Sequence, residues 1–109
     1  YGGEEFVVLL EDANSEGLAI IGERIRSRIE ETVVSFEGQR IPVTASVGLA
    51  EGLVKGTEEE FGRHLLALAD GAMYRAKSSG RNCFVVETMS YSSAQQRSSE
   101  LCTAATDAD

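Results

Sequence analysis

Gly2-Gly3-Glu4-Glu5 sets two glycines against two carboxylates. Glycine has no side chain, so a phosphate or a flat ligand can approach its backbone closely. Two carboxylates at a rigid turn offer the hard oxygen donors that Mg²⁺ takes alongside phosphate oxygens. Such a pair is seldom a complete metal site, and a further acid from elsewhere is expected. The same four residues also read as a hairpin turn with solvated acids. A second group is Lys77 and Arg81, four apart where a helical pattern ends. Cations at a helix C-terminus complement the macrodipole. They also suit a phosphate clamp, with lysine as a point charge and arginine as a planar fork. His64 is the only histidine and has no Ser, Cys or Asp partner near it in sequence, which suggests a surface or boundary position. Ser46 lies in Ala-Ser-Val-Gly and lacks the nucleophile-elbow pattern. Asp70 is read as structural, and Met73 and Tyr74 as helix packing residues.

The elements that must position these groups follow from periodicity. Phe6 to Leu10 is a continuous apolar run, as in a strand covered on both faces. Asn14 or Ser15 caps the helix that follows, whose Leu18, Ile21, Ile25 and Ile29 form one apolar stripe. Glu37-Gly38-Gln39 reads as a turn. Ile41, Val43, Ala45, Val47 and Leu49 then alternate with polar or small residues, the pattern of a half-buried strand. Thr57 and Glu60 form a capping box for a second helix with Phe61, Leu65, Leu68, Ala69, Ala72, Met73 and Ala76 on its buried side. Gly80 ends that helix, and Cys83 to Val86 is a last short strand. From Thr88 onward Ser, Thr, Ala, Gln and Asp dominate, so residues 88–109 are expected to be a disordered tail. The domain is then residues 1–87, an α/β layer of strands and helices. A hairpin at Gly2-Gly3 needs a strand before it, so more sheet is expected upstream.

At 109 residues and 42% apolar content the chain suits one small domain. Its net charge of −8 argues against a general nucleic-acid binder and repels anionic ligands unless metal or a local basic cluster intervenes. Cys83 and Cys102 suggest neither a metal site nor a disulfide framework, which fits a reduced setting. No apolar run approaches the ~20 residues needed to span a bilayer, and no signal peptide is visible. Residue 1 is Tyr, so the chain is expected to be processed or part of something longer.

Five stretches in this order resemble the second half of a GGDEF domain, the diguanylate cyclase family. They are Tyr1-Gly2-Gly3-Glu4-Glu5-Phe6, Glu23-Arg24-Ile25-Arg26, Val43-Thr44-Ala45-Ser46-Val47-Gly48, Ala69-Asp70-Gly71-Ala72-Met73-Tyr74-Arg75-Ala76-Lys77 and Gly80-Arg81-Asn82. The resemblance implies a palm-like α/β fold, here without its N-terminal strands and helices. It implies condensation of two GTP into cyclic di-GMP with release of pyrophosphate, between two domains that meet face to face as a homodimer. By the same resemblance Glu4 and Glu5 are the catalytic, metal-binding acids for Mg²⁺ or Mn²⁺. Gly2 and Gly3 let GTP lie close, Lys77 and Arg81 bind its triphosphate, and Arg24 belongs to an inhibitory product-binding site. The family's upstream half carries a metal-binding Asp, the guanine contacts and the strand that pairs with Phe6 to Leu10. The chain alone is therefore expected to be incomplete, and its GTP substrate implies a cytoplasmic setting, with any membrane anchor lying upstream. The alternative is a catalytically inactive GGDEF-type nucleotide-binding or signalling module.

Overall fold

A computed structural model of the chain describes residues 4–12, 14–53, 56–89 and 100–109. The elements in chain order are β1 (Glu5–Glu11), α1 (Ser15–Glu31), β2 (Val34–Phe36), β3 (Gln39–Ile41), β4 (Ala45–Leu53), α2 (Glu58–Ser78), β5 (Phe84–Thr88) and β6 (Glu100–Ala108). Four strands make a mixed sheet in the order β1-β6-β4-β5. β4 and β5 are parallel, joined through α2, and β6 runs antiparallel to both β1 and β4. β2 and β3 form a separate hairpin. Its two turn residues, Glu37 and Gly38, have φ of 51° and 78°, as a two-residue type I′ connection requires.

The side chain of Asn14 caps α1 by accepting the Gly17 N–H at 2.9 Å. The stripe Leu18, Ile21, Ile25 and Ile29 packs on Ala45, Val47 and Leu49 of β4 and on Cys102 and Ala104 of β6. Thr57 caps α2 by accepting the Glu60 N–H at 3.2 Å. Phe61, Leu65, Ala69 and Met73 pack on Ala50 and Ala105. Successive strand residues face opposite sides of a sheet. Ala45, Val47 and Leu49 therefore serve α1, while the intervening residues serve α2, and the helices cover opposite faces.

β4 is accordingly buried along its length up to Gly52, not half-buried as its alternation suggests. The positions that look polar or small are the ones α2 rests on. At Gly48 a Cβ would lie 2.1 Å from the Met73 backbone nitrogen and 2.2 Å from the Ala69 carbonyl. The absent side chain lets α2 touch the sheet. The strand also starts later than the alternation implies, because Ile41 ends β3 and Pro42 to Thr44 lie outside both strands.

Two further expectations change. The run Phe6 to Leu10 is a strand, but it lies at the sheet edge among the described residues, with Phe6 67% and Leu9 63% exposed. Only Leu10 reaches the α1 core. Residues 100–108, expected to be disordered, form β6 between β1 and β4, with Cys102 fully buried. Apart from Leu101, the segment lacks the large apolar side chains that mark a strand in sequence. Two flanking ladders order it instead. Tyr74, read as a packing residue, is 71% exposed, and Asp70, read as structural, is exposed as well. His64 is exposed, as expected. No helix among the described residues is long and apolar enough to cross a membrane.

Candidate functional site

The polar groups gather where α2 ends. Ser79 donates to the carbonyls of Arg75 and Ala76, and the Arg81 N–H donates to the Ala76 carbonyl at 3.1 Å. This closes the helix in a Schellman turn with Gly80 at φ +112°. Arg81 and Asn82 follow with φ of 65° and 47°, a left-handed conformation that costs non-glycine residues about 1–3 kcal/mol where asparagine's tolerance does not offset it.

Contacts from α1 hold that turn. The Asn82 carboxamide oxygen accepts from Arg26 at 2.9 Å, and its amide nitrogen donates to Glu30. Arg26 also donates to Glu23 at 2.6 and 2.8 Å. These bonds lower the Glu30 carboxyl, through Asn82 and then Arg26, and lower Glu23 through Arg26. They raise Arg26, chiefly through Glu23. The network fixes the backbone of residues 81 and 82 against α1.

The oriented turn meets the end of β4 around one carboxylate. Asp109, just past β6, accepts from the hydroxyls of Thr44 (2.7 Å) and Ser46 and from the Asn82 N–H (2.8 Å), and Arg81 lies 3.6 Å away. Burial pushes the Asp109 carboxyl upward. The Ser46, Thr44 and Asn82 hydrogen bonds, with Arg81, outweigh that and hold it below its ordinary value. Beside it, Lys77 pairs with Asp107, whose other oxygen is buried without a hydrogen-bond partner among the described residues. Asp107 stands between Glu5 of β1 and Ser46 of β4 in the strand register. Two acids directly opposite each other repel, and Lys77 offsets that repulsion.

Lys77 and Arg81 both stand at the C-terminal end of α2, and each pairs with a carboxylate of the same chain, Lys77 with Asp107 and Arg81 with Asp109. Glu5 opens β1 across from Asp107, and Glu4 precedes it in an exposed bend. Gly2 and Gly3 lie outside the described residues. Arg24 is exposed on α1 and makes none of these contacts. Sequence reading missed Thr44, Ser46 and Asn82, because their hydrogen-bonding groups meet only when β4, the Schellman turn and β6 are assembled. For a divalent cation, Glu4 and Glu5 supply donors of the right chemical kind. No group of three or more His, Cys, Asp or Glu side chains is set to hold a metal among the described residues. Mg²⁺ commonly completes its shell with phosphate oxygens and water, so such a site fits only with a nucleotide in place.

A mixed sheet covered by two helices, with an acidic entry to β1 and two cations, Lys77 and Arg81, at the C-terminal end of α2, makes this an α/β domain whose polar groups gather at one end. The chain belongs to the GGDEF family: residues 1–83 match the domain described as "Diguanylate cyclase, GGDEF domain". It is 35% identical over 82 residues to diguanylate cyclase A of Treponema denticola, covering 75% of this chain and 21% of that protein. It is 37% identical over 83 residues to diguanylate cyclase DosC of Escherichia coli, covering 75% and 17%. It is 38% identical over 87 residues to the response regulator PleD of Caulobacter vibrioides, covering 78% and 18%. The chain thus spans about a fifth of the length of these relatives.

Proposed function

We propose that this domain is part of a diguanylate cyclase that condenses two GTP into cyclic di-GMP. The observation that carries the reading is the family match over residues 1–83, which contains the acids Glu4 and Glu5 and both cations of the clamp's helix end. In this reading Lys77 and Arg81 bind the triphosphate, the first as a point charge and the second as a fork. Gly2 and Gly3 keep the turn clear for the nucleotide. Glu4 and Glu5 would hold Mg²⁺ or Mn²⁺, an ion that prefers hard oxygen donors. Bound metal would neutralise phosphate charge and lower the pKa of the attacking hydroxyl.

The 3′-hydroxyl of one GTP gives up its proton to solvent as its oxygen bonds to the α-phosphorus of the other, and pyrophosphate leaves with the electrons of the broken P–O bond. The reciprocal attack closes the ring. Each GTP comes on its own domain, so the active form is a homodimer. Cyclic di-GMP is the product, and Arg24 is assigned to a site that binds it as an inhibitor. The GTP substrate places the domain on the cytoplasmic side.

The test is incubation of the full-length protein with GTP and Mg²⁺, with nucleotides resolved by chromatography and mass spectrometry. Cyclic di-GMP is expected from the wild type and should fall at least ~10²-fold in Glu4→Ala, the scale of losing a group that stabilises transition-state charge. GTP binding without cyclic di-GMP would instead identify a nucleotide-binding signalling module.

A further inference from the structure

The geometry points to an oxyanion cradle, made by Thr44, Ser46, the Asn82 N–H and Arg81 beside Lys77, for which the acids of β6 and an incoming polyphosphate compete. Asp109 collects two hydroxyls, one backbone N–H and a guanidinium around one carboxylate. That donor set equally suits the oxygens of a phosphate. Asp107 takes Lys77 in the same way. The ligand class rests on the proposal that Lys77 and Arg81 bind a triphosphate; Thr44, Ser46 and Asn82 extend that site, and β6 closes it.

β6 is suited to leave. The residues it buries from Cys102 to Thr106 are small, namely Cys, Thr and Ala. Alanine is a poor strand former, and such residues add little apolar area. Asp107 carries a buried oxygen without a hydrogen-bond partner among the described residues and faces Glu5 in register. Its place in the sheet depends on Lys77. A polyphosphate that takes Lys77 and Arg81 leaves Asp107 and Asp109 as buried carboxylates without cations, which is strongly unfavourable. Binding of the polyphosphate and docking of β6 are therefore mutually opposed, and the opposition is reciprocal.

The buried thiol of Cys102 reports on β6. In the Cys83→Ser chain, where only Cys102 can react, maleimide labelling is followed while inorganic tripolyphosphate is titrated, with binding measured by calorimetry. Labelling should accelerate and saturate with the binding curve. Asp107→Asn/Asp109→Asn should bind tripolyphosphate roughly tenfold more tightly, the factor expected if β6 is docked about nine-tenths of the time. Should the double variant fail to fold, the wild-type labelling decides. Tripolyphosphate that binds without changing Cys102 labelling overturns the inference, as does absence of binding to the chain and to the folded double variant. GTP with Mg²⁺ separates the two ideas. If tripolyphosphate releases β6 and the full-length protein does not bind GTP, the cradle stands and the nucleotide reading fails. If GTP binds and Cys102 stays protected, the nucleotide reading stands and the competition fails.

Discussion

Asp109 shows how much a single carboxylate can gain from its surroundings. Its side chain is 6% exposed yet its pKa is lowered, because the donors around it outweigh the cost of burial. The folded state therefore binds the Asp109 proton less tightly than the unfolded chain does. The stability this residue adds is complete well above its ordinary value of 3.8 and is lost as pH falls through the lower folded value. Asp109→Asn should cost about 1.5–3 kcal/mol near neutral pH, the usual scale for hydrogen bonds to a charged group. In urea unfolding followed by circular dichroism, that difference should shrink toward zero as the pH drops below 3.8. A difference unchanged in acid would show that the carboxylate charge plays no part. Asn82 is a second such residue. Asn82→Ala loses the Arg26 and Glu30 bonds and places a Cβ-branched-free but poorly tolerated residue at φ 47°. A loss of about 1–3 kcal/mol is expected by the same unfolding measurement.

At the scale of elements, α2 carries the site because two local features fix where it begins and where it rests. Thr57 sets its start, and Thr57→Ala should lower stability by ~1 kcal/mol without moving the helix. Gly48 sets its distance from the sheet. Gly48→Ala would drive a methyl group into the backbone of Ala69 and Met73, which cannot yield as a side-chain tip can. A loss of about 3 kcal/mol or more is expected, beyond the range of most single substitutions. Because α2 also presents Lys77, the same variant should weaken tripolyphosphate binding. Unchanged stability in Gly48→Ala would mean that α2 and β4 do not meet as closely as 2.1 Å implies.

At the scale of the molecule, β6 joins two parts that have no direct ladder to each other. β1 pairs only with β6 among the described residues, and β6 pairs in turn with β4. Removing residues 100–109 should leave both β1 and β4 with unpaired edges, and β1 already exposes Phe6 and Leu9. Exposed apolar edges recruit further strands. The shortened chain should form concentration-dependent oligomers, detectable by light scattering after size exclusion, and Leu9→Lys should reduce them. A shortened chain that stays monomeric would show that β6 is not needed to cover the sheet.

The sequence by itself determined the local features: the stripes of α1 and α2, the caps at Asn14 and Thr57, the turn at Glu37-Gly38 and the end of α2 at Gly80. Each depends on residues within a few positions of one another. The motifs from Gly2 to Asn82 also carried the family resemblance. The tertiary structure decided how buried each strand is, since burial depends on what covers it. Val47 and Gly48 look alternately apolar and neutral, yet both are covered, one by α1 and the other by α2. The tertiary structure also decided the place of β6, whose side chains beyond Leu101 are small or polar and give no apolar pattern to read. Lys77 and Arg81 were legible as cations at one helix end. Their partners Asp107 and Asp109 were not, because the pairing is made across a sheet between segments about 30 residues apart in sequence.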